Sequence, residues 1–187
     1  MILEIDQAII LERTQNWLQT VVCDLNLCPF ARPIMESGSL RLVVSQGTKT
    51  QEKDQLFRDF LAELDFFQKS SEAEIATCLM IFPVGLECFE GFLDFFAEAQ
   101  ILMENIGISE EIQLASFHPN YLFGGEPADD VSHFTNRSPY PMLHFIRQAM
   151  LSREIENISD TEEIPRRNIV RLRTMGMSKI QRLLSSI

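Results

Sequence analysis

The sequence predicts an α/β fold with a small, mainly parallel β-sheet of about three core strands covered by helices. Three short apolar segments, at residues 39–45, 76–82 and 111–117, have the composition and flanking turn residues of strands. They alternate with helical patterns that end near Lys69 and Asn105. Each connection is long enough to hold a helix, so right-handed crossovers between parallel strands are expected.

The order of the elements predicts one domain over residues 1–187. The chain has 187 residues, of which 45% are hydrophobic, as in an ordinary globular protein. We expect a βαβαβ core over residues 39–117, a long polar loop over 118–139 and C-terminal helices over 140–187. A loop of that length is usually functional or disordered.

Helix boundaries follow from periodicity and from the residues that start or stop a helix. Apolar residues three and four apart predict a long N-terminal helix from about Glu4 to Leu27, which Cys28-Pro29 ends. The segment from Thr48 to Gln51 has the capping-box pattern and is expected to begin the second helix. Ser138-Pro139 predicts an N-cap followed by a helix to about Glu156.

Charge and composition exclude several classes of protein. Lys and Arg number 16 against 27 Asp and Glu, giving a net charge of −11, so general binding to nucleic acid is not expected. No run approaches the ~18 apolar residues of a membrane span. The start Met-Ile-Leu-Glu-Ile-Asp lacks the pattern of a secretory signal, so we expect a cytoplasmic protein with free thiols.

Cys28 is the cysteine with a plausible chemical role. It precedes Pro29, and Arg32 supplies a nearby positive charge that favours the thiolate. The alternative is a small buried residue at a helix end, which is the commoner role of a free cysteine.

The histidines and tyrosines, which are rare in this chain, all lie beyond the third predicted strand. All 3 histidines and both tyrosines fall between His118 and His144, and ligands in open α/β sheets bind outside the carboxyl ends of the strands. We therefore expect the site in this region. The candidate ligand-binding residues are Arg32, Asn120, Tyr121, Asn136, Arg137, Ser138, Tyr140, His144 and Arg147.

Three kinds of chemistry compete for this region. The first is recognition of a small anionic molecule, in which Arg137 grips a carboxylate or phosphate with two parallel hydrogen bonds. His144 and Arg147 would share a face of the predicted helix and assist it.

The second is a divalent metal, for which His118, Asp130 and His133 supply suitable ligands, although their spacing fits no known motif. The third is metal-free catalysis, with His118 or His133 as the base, Asp130 orienting it and Cys28 as a distant candidate nucleophile.

Each residue also has a structural explanation. His118 can bond a backbone carbonyl at the strand end, Asp130 can cap a short helical turn, and Asn136 can anchor the loop. For each residue considered alone, the structural explanation is favoured. For the cluster as a whole, a functional site is favoured.

The last 23 residues have a charge opposite to that of the body. Residues 165–187 contain six basic residues and no acidic one. We expect this segment to dock on the acidic body of its own chain or of a second subunit. The alternative to a ligand-binding protein is a non-enzymatic interaction domain, in which Phe-rich helices and the basic C-terminal helix form a homodimer or partner surface.

Three segments carry a resemblance to a known family. They are Asn-Leu-Cys-Pro-Phe-Ala at residues 26–31, Ala-Ser-Phe-His-Pro-Asn-Tyr at 115–121, and Thr-Asn-Arg-Ser-Pro-Tyr-Pro-Met-Leu-His at 135–144. They resemble the blocks of an uncharacterised bacterial family, domain of unknown function 1415, over nearly the whole chain. The resemblance implies a bacterial, cytoplasmic, single-domain protein and transfers no catalytic residue.

Overall fold

Four strands and seven α-helices make up the described part of the protein. A computed structural model describes residues 7–46, 53–156, 163–185 and 187. The strands are β1 (Leu40–Val44), β2 (Thr77–Ile81), β3 (Ile112–Phe117) and β4 (Met142–Arg147). The helices are α1 (Gln7–Trp17), α2 (Ala31–Ser37), α3 (Lys53–Lys69), α4 (Phe89–Asn105), α5 (Gln148–Glu156), α6 (Glu163–Met175) and α7 (Met177–Leu184). A π-helical segment (Leu18–Cys23) continues α1, and a 3₁₀ helix (Val131–Thr135) follows β3.

The three strands expected from the sequence are confirmed, together with the helices between them. The sheet has the order β1-β2-β4-β3. β1 and β2 are parallel, whereas β4 is antiparallel to both β2 and β3. β1, β2 and β3 therefore run in one direction, and their carboxyl ends lie along one edge of the sheet, called the carboxyl edge below.

The prediction of a mainly parallel, three-stranded sheet is wrong, and so is the helix predicted from Ser138. Residues 142–147 form β4, which lies between β2 and β3, and helix α5 begins only at Gln148. β4 is largely buried, with Leu143 and Phe145 on one face and Met142 on the other. An apolar strand covered on both faces has no alternation of polar and apolar residues, so periodicity cannot distinguish it from a helix.

The core consists of two layers, one on each face of the sheet. Helices α3 and α4 cover one face with a phenylalanine-rich cluster. The N-terminal helix and the C-terminal helices cover the other face through Trp17, Leu172 and Ile180, which pack against Ile81 and Met142. The expectation that helices cover the sheet is confirmed.

The N-terminal helix ends earlier than the sequence suggested. Helical structure stops at Cys23, and Asn26 adopts a left-handed conformation with φ 47°. The amide of Leu27 donates to the carbonyl of Val22 over 2.9 Å, which closes the helix end. Residues 4–6 and the capping-box segment 48–51 lie outside the described residues.

Within the described ranges, no helix combines the length and apolarity that crossing a membrane requires.

Candidate functional site

The polar loop predicted from the sequence lies at the carboxyl edge. It runs from His118, directly after β3, to Pro141, directly before β4, and is called loop 118–141 below. The amide of His118 donates to the carbonyl of Asn136 over 3.1 Å, and Nδ2 of Asn136 donates to the carbonyl of Ser116 over 3.1 Å. Asn136 thus anchors the loop, as its structural explanation proposed.

His118 is buried and uses both ring nitrogens. Nδ1 accepts the amide of Asn120 at 3.0 Å, so Nε2 carries the proton and donates to the carbonyl of Leu86 at 3.0 Å. The ring packs against Phe89 and Phe92 at 5.1 Å between centroids. Burial lowers the pKa of His118, which keeps the ring neutral. These contacts join loop 118–141 to the segment after β2.

His133 and Asp130 are also bonded within the loop. Nδ1 of His133 accepts the amide of Phe123 at 3.0 Å, and Nε2 donates to the carbonyl of Pro127 at 2.8 Å. Asp130 caps the 3₁₀ helix by accepting the amide of Ser132 at 2.7 Å. The Arg173 guanidinium holds the pKa of the Asp130 carboxyl well below its usual range.

These bonds bear on the predicted metal and acid–base roles. In both His118 and His133, Nδ1 accepts a backbone amide. Nδ1 would have to release that amide before it could bind a metal or accept a proton. Over the described ranges, no group of three or more His, Cys, Asp or Glu side chains is arranged to hold a metal ion.

The expectation that His144 and Arg147 share a helix face is wrong. Both lie on β4, and a separation of three residues places them on opposite faces of the sheet. Nε2 of His144 bonds Oγ1 of Thr77. Arg147 caps the end of α3, donating to the carbonyls of Phe67 at 2.9 Å and Ser70 at 2.8 Å, and to that of Ile75 at 3.0 Å.

Cys28 and Arg32 do not form the activated thiol that the sequence suggested. Arg32 pairs with Asp24 at 3.0 Å. Burial raises the pKa of the Cys28 thiol, although the amides of Phe30 and Ala31 act in the opposite direction. Cys28 is partly buried and packs against the apolar cluster that contains Trp17, Leu172 and Ile180. This environment matches the alternative role, a small buried residue at a helix end.

Arg137 differs from the other candidate arginines because, among the described residues, no carboxylate pairs with it and its two Nη atoms have no acceptor. Nε donates to the carbonyl of Tyr121 at 3.1 Å, and the guanidinium lies 4.6 Å above the Phe134 ring. In residues 7–46, 53–156, 163–185 and 187, neither Nη atom has an acceptor and no carboxylate pairs with it. Burial lowers the pKa of Arg137, since partial desolvation disfavours the cation.

Two residues that sequence reasoning did not assign to the site hold Arg137 in place. The Trp17 indole N–H donates to the carbonyl of Arg137 at 3.0 Å, and Phe134 supports the guanidinium. A buried tryptophan is expected to bond through its indole N–H, but the sequence gives no signal of which residue accepts.

The remaining candidates lie in loop 118–141. Tyr121 packs between Phe89 and Phe123, with centroid distances of 5.3 and 5.0 Å. Ser138 is buried and its hydroxyl donates to the carbonyl of Tyr140 at 2.6 Å. Asn120 is exposed.

The basic segment docks on its own chain. On α6, Asn168 donates to the carbonyl of Leu27 at 2.7 Å and Arg167 donates to that of Asn26 at 3.1 Å. Arg173 pairs with Glu126 at 2.7 Å and Asp130 at 2.8 Å. Helix α6 therefore joins the segment that carries Cys28 to loop 118–141.

The architecture defines an α/β protein with a mixed four-stranded sheet and a polar loop, stabilised by hydrogen bonds, at the carboxyl edge. The chain belongs to the family described as "Protein of unknown function (DUF1415)", whose family model matches residues 9–182. No curated protein and no solved structure matches the chain.

Proposed function

We propose that the protein binds a small anionic molecule at the carboxyl edge, with Arg137 as the residue that recognises its charge. One observation carries this proposal: Arg137 is a partly buried cation without a carboxylate partner in the described residues. Its two Nη atoms also have no acceptor in the part of the chain that the structure describes.

The other candidate arginines provide the contrast. Arg32 is paired with a carboxylate, and Arg147 donates hydrogen bonds to three carbonyl oxygens. A partly desolvated charge is costly when it is left alone. An anion bound end-on by the two Nη atoms would restore the interactions that burial removes.

Arg137 is also held in a defined orientation before any ligand arrives. The carbonyl of Tyr121 fixes Nε, Phe134 covers one face of the guanidinium, and the Trp17 indole fixes the backbone. A group oriented in advance loses less conformational entropy on binding, which favours affinity.

The proposal concerns binding rather than catalysis. His118 and His133 each bond two backbone groups, which supports a role in shaping loop 118–141 around Arg137. The alternative of an interaction domain has less support, because Arg167 and Arg173 of the basic segment are engaged within the chain. Homodimer formation stays a prediction.

The test compares the thermal stability of three proteins against a panel of carboxylate and phosphate metabolites at constant ionic strength. A ligand that binds only the folded state raises Tm, by an amount equivalent to about 2.7 kcal/mol at 100 times its Kd. We expect at least one anion to raise the Tm of the wild type and of Arg166→Gln, but not that of Arg137→Gln. Arg166 is the matched control because it is exposed and pairs within α6 with Glu163.

A second variant guards against misfolding of Arg137→Gln. Arg137→Lys keeps the charge but loses the two-pronged geometry, so it should respond more weakly than the wild type. The proposal is overturned if no anion stabilises the wild type, or if Arg137→Gln responds as strongly as the wild type.

A further inference from the structure

We infer that the anion bound at Arg137 is a monocarboxylate with an apolar body, rather than a phosphate. This inference rests on the proposed function and specifies its ligand. It follows from the donors that Arg137 leaves free, the charge around them and the surface beside them.

The free donors of Arg137 suit a carboxylate. Nε is occupied by the carbonyl of Tyr121, which removes the side edge of the guanidinium from ligand binding. The end edge remains, where Nη1 and Nη2 present two parallel N–H groups. Two parallel donors match the two oxygens of one carboxylate, with expected N···O distances of about 2.7–2.9 Å.

The charge near Arg137 suits a single negative charge. Its polar and ring contacts in the described part of the chain are to Trp17, Tyr121, His133 and Phe134, none of which is a lysine, an arginine or an acid. A phosphate monoester carries roughly −1.5 to −2 at neutral pH, so one guanidinium would leave part of its charge uncompensated. The excess of acidic residues in the protein increases this penalty.

The surface beside Arg137 suits an apolar group. The residue whose carbonyl holds Nε belongs to the segment Tyr121-Leu122-Phe123. Tyr121 and Phe123 are partly exposed and pack against each other at 5.0 Å, and Leu122 is 43% exposed. Apolar and aromatic side chains, together with a small number of precisely placed polar groups, make up most small-molecule sites.

The experiment titrates ¹⁵N-labelled wild type, Arg137→Gln and Arg166→Gln with benzoate, acetate and inorganic phosphate at constant ionic strength and pH 7.5. Amide chemical shifts report both affinity and location. We expect benzoate to move the resonances of residues 121–123 and 134–137 and to bind at least about tenfold more tightly than acetate, because its ring buries apolar surface. Phosphate should bind more weakly than acetate, and Arg137→Gln should lose the benzoate response while Arg166→Gln keeps it.

The outcomes separate this inference from the proposed function. If phosphate binds more tightly than both carboxylates and the response depends on Arg137, the inference is overturned and the proposed function stands. Equal affinities for benzoate and acetate overturn the apolar body and hence the inference. If none of the three anions binds in an Arg137-dependent manner, both the inference and the proposed function are overturned.

Discussion

His144 is a residue whose protonation opposes folding. It faces the layer under the terminal helices, opposite Leu79 in the register of β2 and β4, and bonds Oγ1 of Thr77. That hydroxyl in turn donates to the carbonyl of Phe145 at 2.7 Å, so Nε2 of His144 acts as the donor. Burial lowers the pKa of His144 to about 4, compared with about 6.5 in an unfolded chain. Between these pH values the unfolded chain binds more protons, so stability falls as the pH falls.

We predict that His144→Gln removes this part of the pH dependence. Gln keeps a donor for Thr77 but does not titrate. The free energy of unfolding of the wild type, measured relative to the variant by urea denaturation, should drop by up to about 3 kcal/mol between pH 7 and pH 4. His118, whose pKa is also lowered, is present in both proteins and cancels in the difference. A difference that stays constant over this pH range would contradict the prediction.

Helix α6 holds loop 118–141 against the N-terminal segment through polar side chains. Arg173 of α6 forms ion pairs with Glu126 and Asp130, which link the helix to the loop beside the 3₁₀ helix. The pKa of Asp130 is lowered by Arg173, so this link is present at neutral pH and is lost only as acid protonates the carboxyl.

We predict that Arg173→Gln loosens this contact without unfolding the core. Amide hydrogen exchange should become faster in residues 131–135 and in α6, and remain unchanged in β2 and β4, because local opening requires less free energy than global unfolding. Arg166→Gln, which removes an ion pair within α6, is the matched control and should leave residues 131–135 unaffected. Equal exchange in the two variants would show that the pairs of Arg173 do not hold the loop.

The sequence predicts a strand or helix where the residues within and beside it carry the signal. It does not predict an element whose structure depends on the parts of the fold that pack against it. β1, β2 and β3 were predicted because turn residues bound each short apolar run. β4 was not, because Ser138-Pro139 resembles a helix start and a strand buried on both faces lacks alternation. The sequence offered Arg137 as a candidate residue and predicted a polar loop over residues 118–139, which the structure places directly after β3. It did not predict that Trp17, distant in the chain, bonds the carbonyl of Arg137.

At the scale of the whole molecule, β4 is one of the two inner strands of the sheet, and its side chains pack into both layers of the core. Phe145 of β4 is fully buried and stacks on Phe60 of α3 at 5.6 Å, and it also packs against Phe67 at 5.9 Å. We predict that Phe145→Ala lowers the free energy of unfolding by about 3–5 kcal/mol in urea, since it leaves a cavity in the core.

Phe66→Ala is the matched control for this prediction. Phe66 lies on the same helix as Phe60 but is 49% exposed, with the Arg41 guanidinium 4.5 Å above its ring. Phe66→Ala should lower the free energy of unfolding by less than about 1 kcal/mol. If Phe145→Ala lowered the free energy of unfolding as little as Phe66→Ala does, the result would contradict the position of β4 in the sheet.

The measurement that tests the central claim most directly is a crystal structure of the protein soaked with benzoate. The account predicts electron density for a carboxylate at Arg137, with one oxygen about 2.7–2.9 Å from each Nη atom and with Nε still bonded to the carbonyl of Tyr121. The account would be contradicted if no benzoate were bound at the Arg137 guanidinium at a saturating concentration. It would also be contradicted if the Nη atoms bound a carboxylate of the protein's own chain.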